Sequence, residues 1–221
     1  MNTTLLLPGL LLPVRPRLQV LEQMAVVIEG DSILAVLPRA EALEKFADAD
    51  RIELPDHVLL PGFINMHTHS ALSLLRGYAD DLNLQVWLNE YIWPAEKAYL
   101  GPNFVHDGSK LAIAEMLRGG TTCFNDFYFY PEVTAATAVE TGIRACVGLP
   151  VINVPTVWAR HEHEYIDKGQ EVSASWQGEA LISTAIAPHA PYSVGDSALT
   201  RIAEISLRQD MPVHLHVLES A

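Results

Sequence analysis

The sequence predicts an α/β fold: a series of parallel strand–helix units preceded by a smaller, strand-rich segment. Three observations carry that expectation. From residue 61 onward, strand-like and helix-like stretches alternate, the pattern of βαβ units. The strand-like stretches are near-continuous apolar runs such as "ALISTAIAP", as expected of a sheet covered on both faces. Residues 1–60 have a different texture, with short β-rich pieces that cannot bury much surface alone.

Within residues 1–60, "LQVLEQMAVVIEGDSILAVLP" reads as two strands joined at Gly30-Asp31, a hairpin signal. "AEALEKFADA" is a short helix, and "RIELPDHVLLPG" returns to extended structure. From there, strands are expected at 61–69, 121–126, 143–152, 181–189 and 212–219. Phe63 to Met66 are expected to carry the first of these through the core. Helices are expected over 83–99 and over 103–118, the second stopped by Gly119-Gly120. "PEVTAATAVETG" is a helix opened by proline and closed by Gly142, and "SALTRIAEISLRQD" is the last helix.

Composition narrows the function classes. The chain has 221 residues, 49% of them apolar and 19% charged, which is the composition of a packed globular protein. Its formal net charge of −13 would repel a phosphate backbone, and no basic run offsets it, so no nucleic-acid polymer is expected as a partner. No apolar run is long enough to span a bilayer, and "MNTTLLLPGLLLPVRPR" lacks the basic start of a signal peptide. The two cysteines, Cys123 and Cys146, form neither a CxxC pair nor a disulfide framework, so a reducing, cytoplasmic setting is expected.

Chemistry-bearing side chains gather at strand C-terminal ends, where parallel α/β folds build their sites. His67 and His69 in "LLPGFINMHTHS" are spaced i, i+2, so both rings face one side of a strand, close enough to share one divalent ion. Taken alone, the pair reads equally well as two hydrogen-bonded polar residues at a strand end. His214 and His216 repeat the spacing on the last strand, and one of them can supply a third ligand. His216 is preferred, being nearer the strand end and three residues before Glu219; the other is expected to be a core histidine. Glu219 is placed to act as a general base, or is simply a solvated loop residue.

The remaining candidates are open on the residues alone. His189, flanked by Pro188 and Pro191, is either a donor to substrate or a turn histidine. Glu96, two residues after Pro94, reads first as an ordinary acid in a first helical turn. Asn125 and Asp126 are assigned to structure, as caps of the following helix. His57, His106, His161 and His163 are read as surface or loop residues. The fourth expected strand contains no lysine to bridge two metals, and the H-x-E/P-C-x-x-C deaminase signature is absent, so a single metal is expected.

Five segments in order, "PGFINMHTHSALSLLRGYADDLNLQVWL", "IWPAEKAY", "AIAEMLRGGTTCFNDFYFYPE", "APHAPYSV" and "HLHVLES", resemble the amidohydrolase superfamily, and more narrowly its 5-methylthioadenosine/S-adenosylhomocysteine deaminases. The resemblance implies a (β/α)8 TIM-type barrel of the metal-dependent hydrolase kind with a small β-sandwich. Residues 1–60 would be the N-terminal part of the sandwich, and 61–221 the first five βα units of the barrel. It implies that His67, His69 and His216 hold one divalent metal, most simply Zn²⁺. Glu219 would be the proton shuttle, Glu96 the carboxylate for ribose hydroxyls, and His189 a substrate-binding histidine. The implied reaction is hydrolytic deamination: water adds to C6 of an adenine nucleoside, Glu219 moves its proton to the ring nitrogen, and ammonia leaves an inosine product. Related members acting on guanine, 8-oxoguanine or triazines are the alternative enzyme reading, and an inactive fragment completed by a partner chain is the non-enzymatic one. The family also self-associates, so a homo-oligomer is expected. Five strands cannot close an eight-stranded barrel, so the chain is expected to be the N-terminal half of a longer enzyme, weakly active or inactive by itself.

Overall fold

The computed structural model describes residues 2–218 and divides into two compact units, residues 1–62 and residues 63–221. The first contains strands β1 (Thr3–Leu11), β2 (Leu21–Glu22), β3 (Met24–Glu29), β4 (Ser32–Pro38) and β5 (Asp50–Leu59), with helix α1 (Arg39–Lys45). They make a five-stranded sheet in which β1 is central: antiparallel to β2 and β3, and parallel to β5. Alternation explains the packing. Leu5 and Leu7 of β1 and Ala25 and Val27 of β3 point to one face, where they are buried with Ala42 of α1. The β3–β4 hairpin turns at Gly30, whose φ of +61° suits glycine. Among the described residues this unit is a single sheet with a helix on one face, one layer of the expected sandwich.

The second unit is a parallel sheet in the order β6 (Phe63–Thr68), β7 (Thr121–Phe127), β8 (Arg144–Val151), β9 (Ile182–Pro188). Between β6 and β7 the chain forms a 3₁₀ turn (Ser70–Leu75), α2 (Leu84–Val86), a π-helical stretch (Trp87–Ile92), α3 (Trp93–Tyr99) and α4 (Pro102–Arg118). Helices α5 (Pro131–Thr141), α6 (Glu162–Ser175) and α7 (Asp196–Gln209) follow β7, β8 and β9 in turn. β8 is buried along almost its whole length. One side packs around Ile113, Phe124, Ala138 and Val147, and the neighbouring cluster centres on Leu149, Tyr165, Ile186 and Ile202. No helix among the described residues is long and apolar enough to cross a membrane.

Several expectations need correction. The segment from 212 is not a full strand. It follows β9 through one bridge, Ile186 to Val213, with Ile186 N–H donating to Pro212 O and His214 N–H to Ile186 O, both at 2.9 Å. With no further neighbour among the described residues, little of it has a ladder to join. For the same reason β6 does not run through the core: its only neighbour among the described residues is β7, and Phe63, Ile64 and Met66 are 57%, 60% and 69% exposed. The helix expected over 83–99 is interrupted by the π-helical stretch. Helix α6 is an addition to the expected elements. Its signal is a capping arrangement in "RHEHE": His161 Nδ1 accepts from Glu164 N–H at 3.2 Å, and Glu164 Oε2 accepts from Arg160 N–H at 3.0 Å. His161 is thus the cap of α6 and His163 part of its first turn; both are exposed, as expected of surface residues.

A close approach between α4 and the 3₁₀ turn fixes the chain just after β6. Gly108 of α4 lies against Ala71 so tightly that a Cβ would sit 2.3 Å from Ala71 O and 2.8 Å from its Cα. Beside it, the buried hydroxyls of Ser70 and Ser109 are 3.0 Å apart. Small residues let the helix sit directly on the turn that succeeds His69. Gly108→Ala is expected to destabilise the chain by about 1–3 kcal/mol, the usual cost of overpacking, read as a lower urea midpoint at unchanged m-value.

Candidate metal centre

His67 lies near the end of β6, His69 just beyond it, and His216 on the segment beside β9. One nitrogen from each falls within 4.8 Å of the others. The rings of His67 and His69 are 4.9 Å apart and those of His67 and His216 are 4.8 Å apart, both edge to face. His67 Nε2 and His216 Nε2 are 3.2 Å apart. Two nitrogens bound tetrahedrally to one zinc at roughly 2.0–2.1 Å would be about 3.3 Å apart, so the spacing is that of two ligands to one ion.

The outer nitrogens support this. His69 Nδ1–H donates to Phe127 O, and His216 Nδ1–H donates to His189 O at 3.0 Å. Each bond fixes the tautomer with the proton on Nδ1, leaving the Nε2 lone pair free to ligate. Burial holds His69 below the ordinary imidazole pKa, partly offset by the Phe127 carbonyl. Burial also lowers His67, helped by the neighbouring His69 and His216. Neutral imidazoles are the form a metal needs.

His189 belongs to the same cluster. Its ring is 5.3 Å from that of His216, and its Nδ1 is 2.7 Å from Ser193 Oγ. Glu96 is joined to the cluster through Tyr128, whose hydroxyl donates to Glu96 Oε1 at 2.6 Å and whose ring is 6.4 Å from that of His69. Burial raises the Glu96 carboxyl, with the Tyr128 hydrogen bond acting the other way. Burial and the adjacent Glu96 push the Tyr128 phenol far above its usual range, so it stays a donor. Glu219 lies outside the described residues. His57, in the first unit, is exposed, and His106 on α4 is partly exposed and pairs with Glu140.

Asp126 corrects the helix-cap expectation. It is fully buried, Oδ1 accepting from Ser70 N–H at 2.8 Å and Oδ2 from Thr134 Oγ–H at 3.3 Å. It therefore ties the residue after His69 to the end of β7. Burial raises its carboxyl from 3.8 to about 6. The sequence reading also missed the Phe127 carbonyl and Tyr128, which the strand-end run "NDFYFY" marks only by position.

Three histidines converge at the C-terminal ends of a parallel sheet of partial TIM-barrel form, a donor set that could hold one divalent ion. The amidohydrolase family model matches residues 58–221, and the chain belongs to that family. It is 44% identical over 211 residues to a 5-methylthioadenosine/S-adenosylhomocysteine deaminase of Saccharophagus degradans, covering 96% of this chain and 47% of that protein. A deaminase of the same name from Thermodesulfovibrio yellowstonii is 41% identical over 215 residues, covering 95% and 48%. Among solved structures, a zinc-bound adenosine deaminase from Xanthomonas campestris matches with a TM-score of 0.96 and 49% identity, over 100% of this chain and 50% of that one. A guanine deaminase from C. acetobutylicum shares the fold, with a TM-score of 0.81 at 19% identity over 97% and 53%. The chain spans about half the length of the relatives it matches.

Replacing Asp126 separates its two effects. Asp126→Ala leaves the buried Ser70 N–H without its acceptor and is expected to cost about 1–3 kcal/mol. Asp126→Asn keeps the acceptor and removes the ionisation. Because the folded carboxyl titrates near 6 and the unfolded one near 3.8, the folded state binds more protons in that window. Wild-type stability from this group therefore falls as pH rises through it. Urea titrations should show Asp126→Asn gaining on wild type between these pH values; a constant difference would contradict the assignment.

Proposed function

We propose that this chain carries the metal-holding part of a zinc-dependent aminohydrolase. Its substrates would be adenine nucleosides such as 5′-methylthioadenosine and S-adenosylhomocysteine, and its products the corresponding inosine compound and ammonia. The observation that carries the reading is the convergence of His67, His69 and His216, two of them tautomer-locked by carbonyls with Nε2 aimed inward. An ion held there supplies Lewis acidity and lowers the pKa of a water in its open position. The chain's own residues then divide the remaining work. His189, adjacent to His216, is the donor to the substrate ring. Glu219, three residues beyond His216, is the proton carrier between water and the ring nitrogen.

Glu96 favours a nucleoside over a bare ring. It is a half-buried carboxylate with one oxygen held by Tyr128, and its other oxygen can take the paired hydroxyls of a ribose, a group that guanine and triazines lack. Its deaminase relatives by name support the same substrate class.

The first test is zinc content. The purified chain is expected to bind one zinc, and His69→Ala to lose it; a chain that takes no zinc would overturn the reading. The second is turnover. The 221-residue chain is expected to release little ammonia from methylthioadenosine and zinc by itself, since the four-stranded sheet and the bridged segment beside it do not close a barrel around a substrate among the described residues. In a polypeptide that completes the barrel, Glu96→Ala should raise KM for nucleosides by about tenfold or more, the scale of one lost charged hydrogen bond. An unchanged KM would favour a ring without ribose.

A further inference from the structure

We propose that His214 is a positioning residue for the metal centre: its Nε2 accepts the Nδ1–H of His67 and so aims His67 Nε2 at the ion. The inference rests on the proposed metal centre and assigns the one ligand whose outer nitrogen meets no backbone carbonyl among the described residues. His69 and His216 each donate Nδ1–H to a carbonyl, of Phe127 and of His189. For His67 that place is filled by a side chain, with His67 Nδ1 and His214 Nε2 2.9 Å apart.

The surrounding geometry makes His214 a fixed acceptor. Its backbone N–H donates to Ile186 O at 2.9 Å, anchoring it beside β9. Its ring stands edge to face with His67 at 5.0 Å and 84°, and leans on Phe127 at 5.5 Å. It is absent from the group of nitrogens that can share an ion. His214 Nδ1 is buried and has no hydrogen-bond partner among the described residues. If the pair's proton sat on His214 Nε2, His67 would have to accept it at Nδ1, and its own proton would block Nε2. An ion at His67 Nε2 selects the other arrangement, with His67 donating and the proton of His214 on the buried Nδ1. The two H-x-H pairs therefore differ in use: both members of the first ligate, whereas the second gives one ligand and one orienting residue.

The test measures zinc affinity of the chain by competition with a chelator. His214→Phe keeps a planar ring but removes the acceptor; His214→Gln restores an acceptor near the Nε2 position. Loss of such an outer partner costs roughly 10–100-fold in metal affinity, so His214→Phe is expected to weaken zinc by that factor and His214→Gln to recover most of it. On the zinc-loaded, ¹⁵N-histidine-labelled chain, the His67 Nδ1–H proton should be protected from exchange in wild type and His214→Gln, and lost in His214→Phe. An unchanged affinity in His214→Phe would overturn the inference. So would a loss as complete as that of His216→Ala without rescue by glutamine, which would make His214 a ligand or a purely structural residue. If His214→Phe does not fold, an unprotected His67 Nδ1–H in wild type overturns it alone. A wild-type chain that takes no zinc fails the metal centre itself, a result distinct from a zinc-binding chain indifferent to His214.

Discussion

The constraint on which the second unit depends is a distance across its sheet. His67 stands on β6, at one edge, and His216 on the segment beyond β9, at the other. Strands lie about 4.8 Å apart, so five of them laid flat would put these edges about 19 Å from each other. The two Nε2 atoms are 3.2 Å apart. Two imidazole side chains cannot bridge a flat sheet, so the sheet must curl until its first and last members face each other. The histidine cluster is possible because the sheet twists and curls in one sense, and both H-x-H pairs sit where the curled edges converge.

Curling brings the rings together but does not aim them. Aim comes from acceptors at the strand ends that lie between the edges. The Phe127 carbonyl, at the end of β7, accepts the Nδ1–H hydrogen bond of His69, and the His189 carbonyl, just past β9, accepts that of His216. Phe127 contributes twice, since its ring also stacks on His216 at 5.0 Å and 18°. One residue further back, Asp126 grips the backbone of Ser70 and prevents the chain after His69 from moving away. Gly108 lets α4 press on that same stretch from outside. The clustered histidines are set by the middle strands, although they do not stand on them.

This division of labour explains what could be read from the sequence. The H-x-H spacing at "NMHTHS" and the strand–helix alternation depend on local periodicity, which sequence displays. The roles of Asp126, Phe127 and Tyr128 depend on which backbone groups face them across the sheet, and no local pattern records that. Asp126 looks like a helix cap because Asx residues are favoured caps at strand–helix junctions; its burial is a tertiary fact. The strand reading of 212–219 and the buried reading of Phe63 to Met66 erred in the same way. Composition shows that a segment is apolar and extended, but not whether a neighbour is present to pair with it.

A cluster of this kind works against the fold that holds it. His67, His69 and His214 are each held below their ordinary pKa, first by burial and further by neighbouring imidazoles, His216 among them in each case, with the Phe127 carbonyl acting the other way on His69. The unfolded chain therefore binds more protons than the folded one as pH falls through 6.5, and the metal-free fold loses stability there. Keeping several imidazoles neutral, desolvated and turned toward one point is a cost that packing elsewhere must offset. An ion in their midst would reverse its sign, because binding to the folded form alone would add stability that grows with the logarithm of ion concentration over Kd. The feature that costs stability in the metal-free fold, imidazoles held neutral with outer protons already engaged by carbonyls, is the same one that would favour a small divalent cation there.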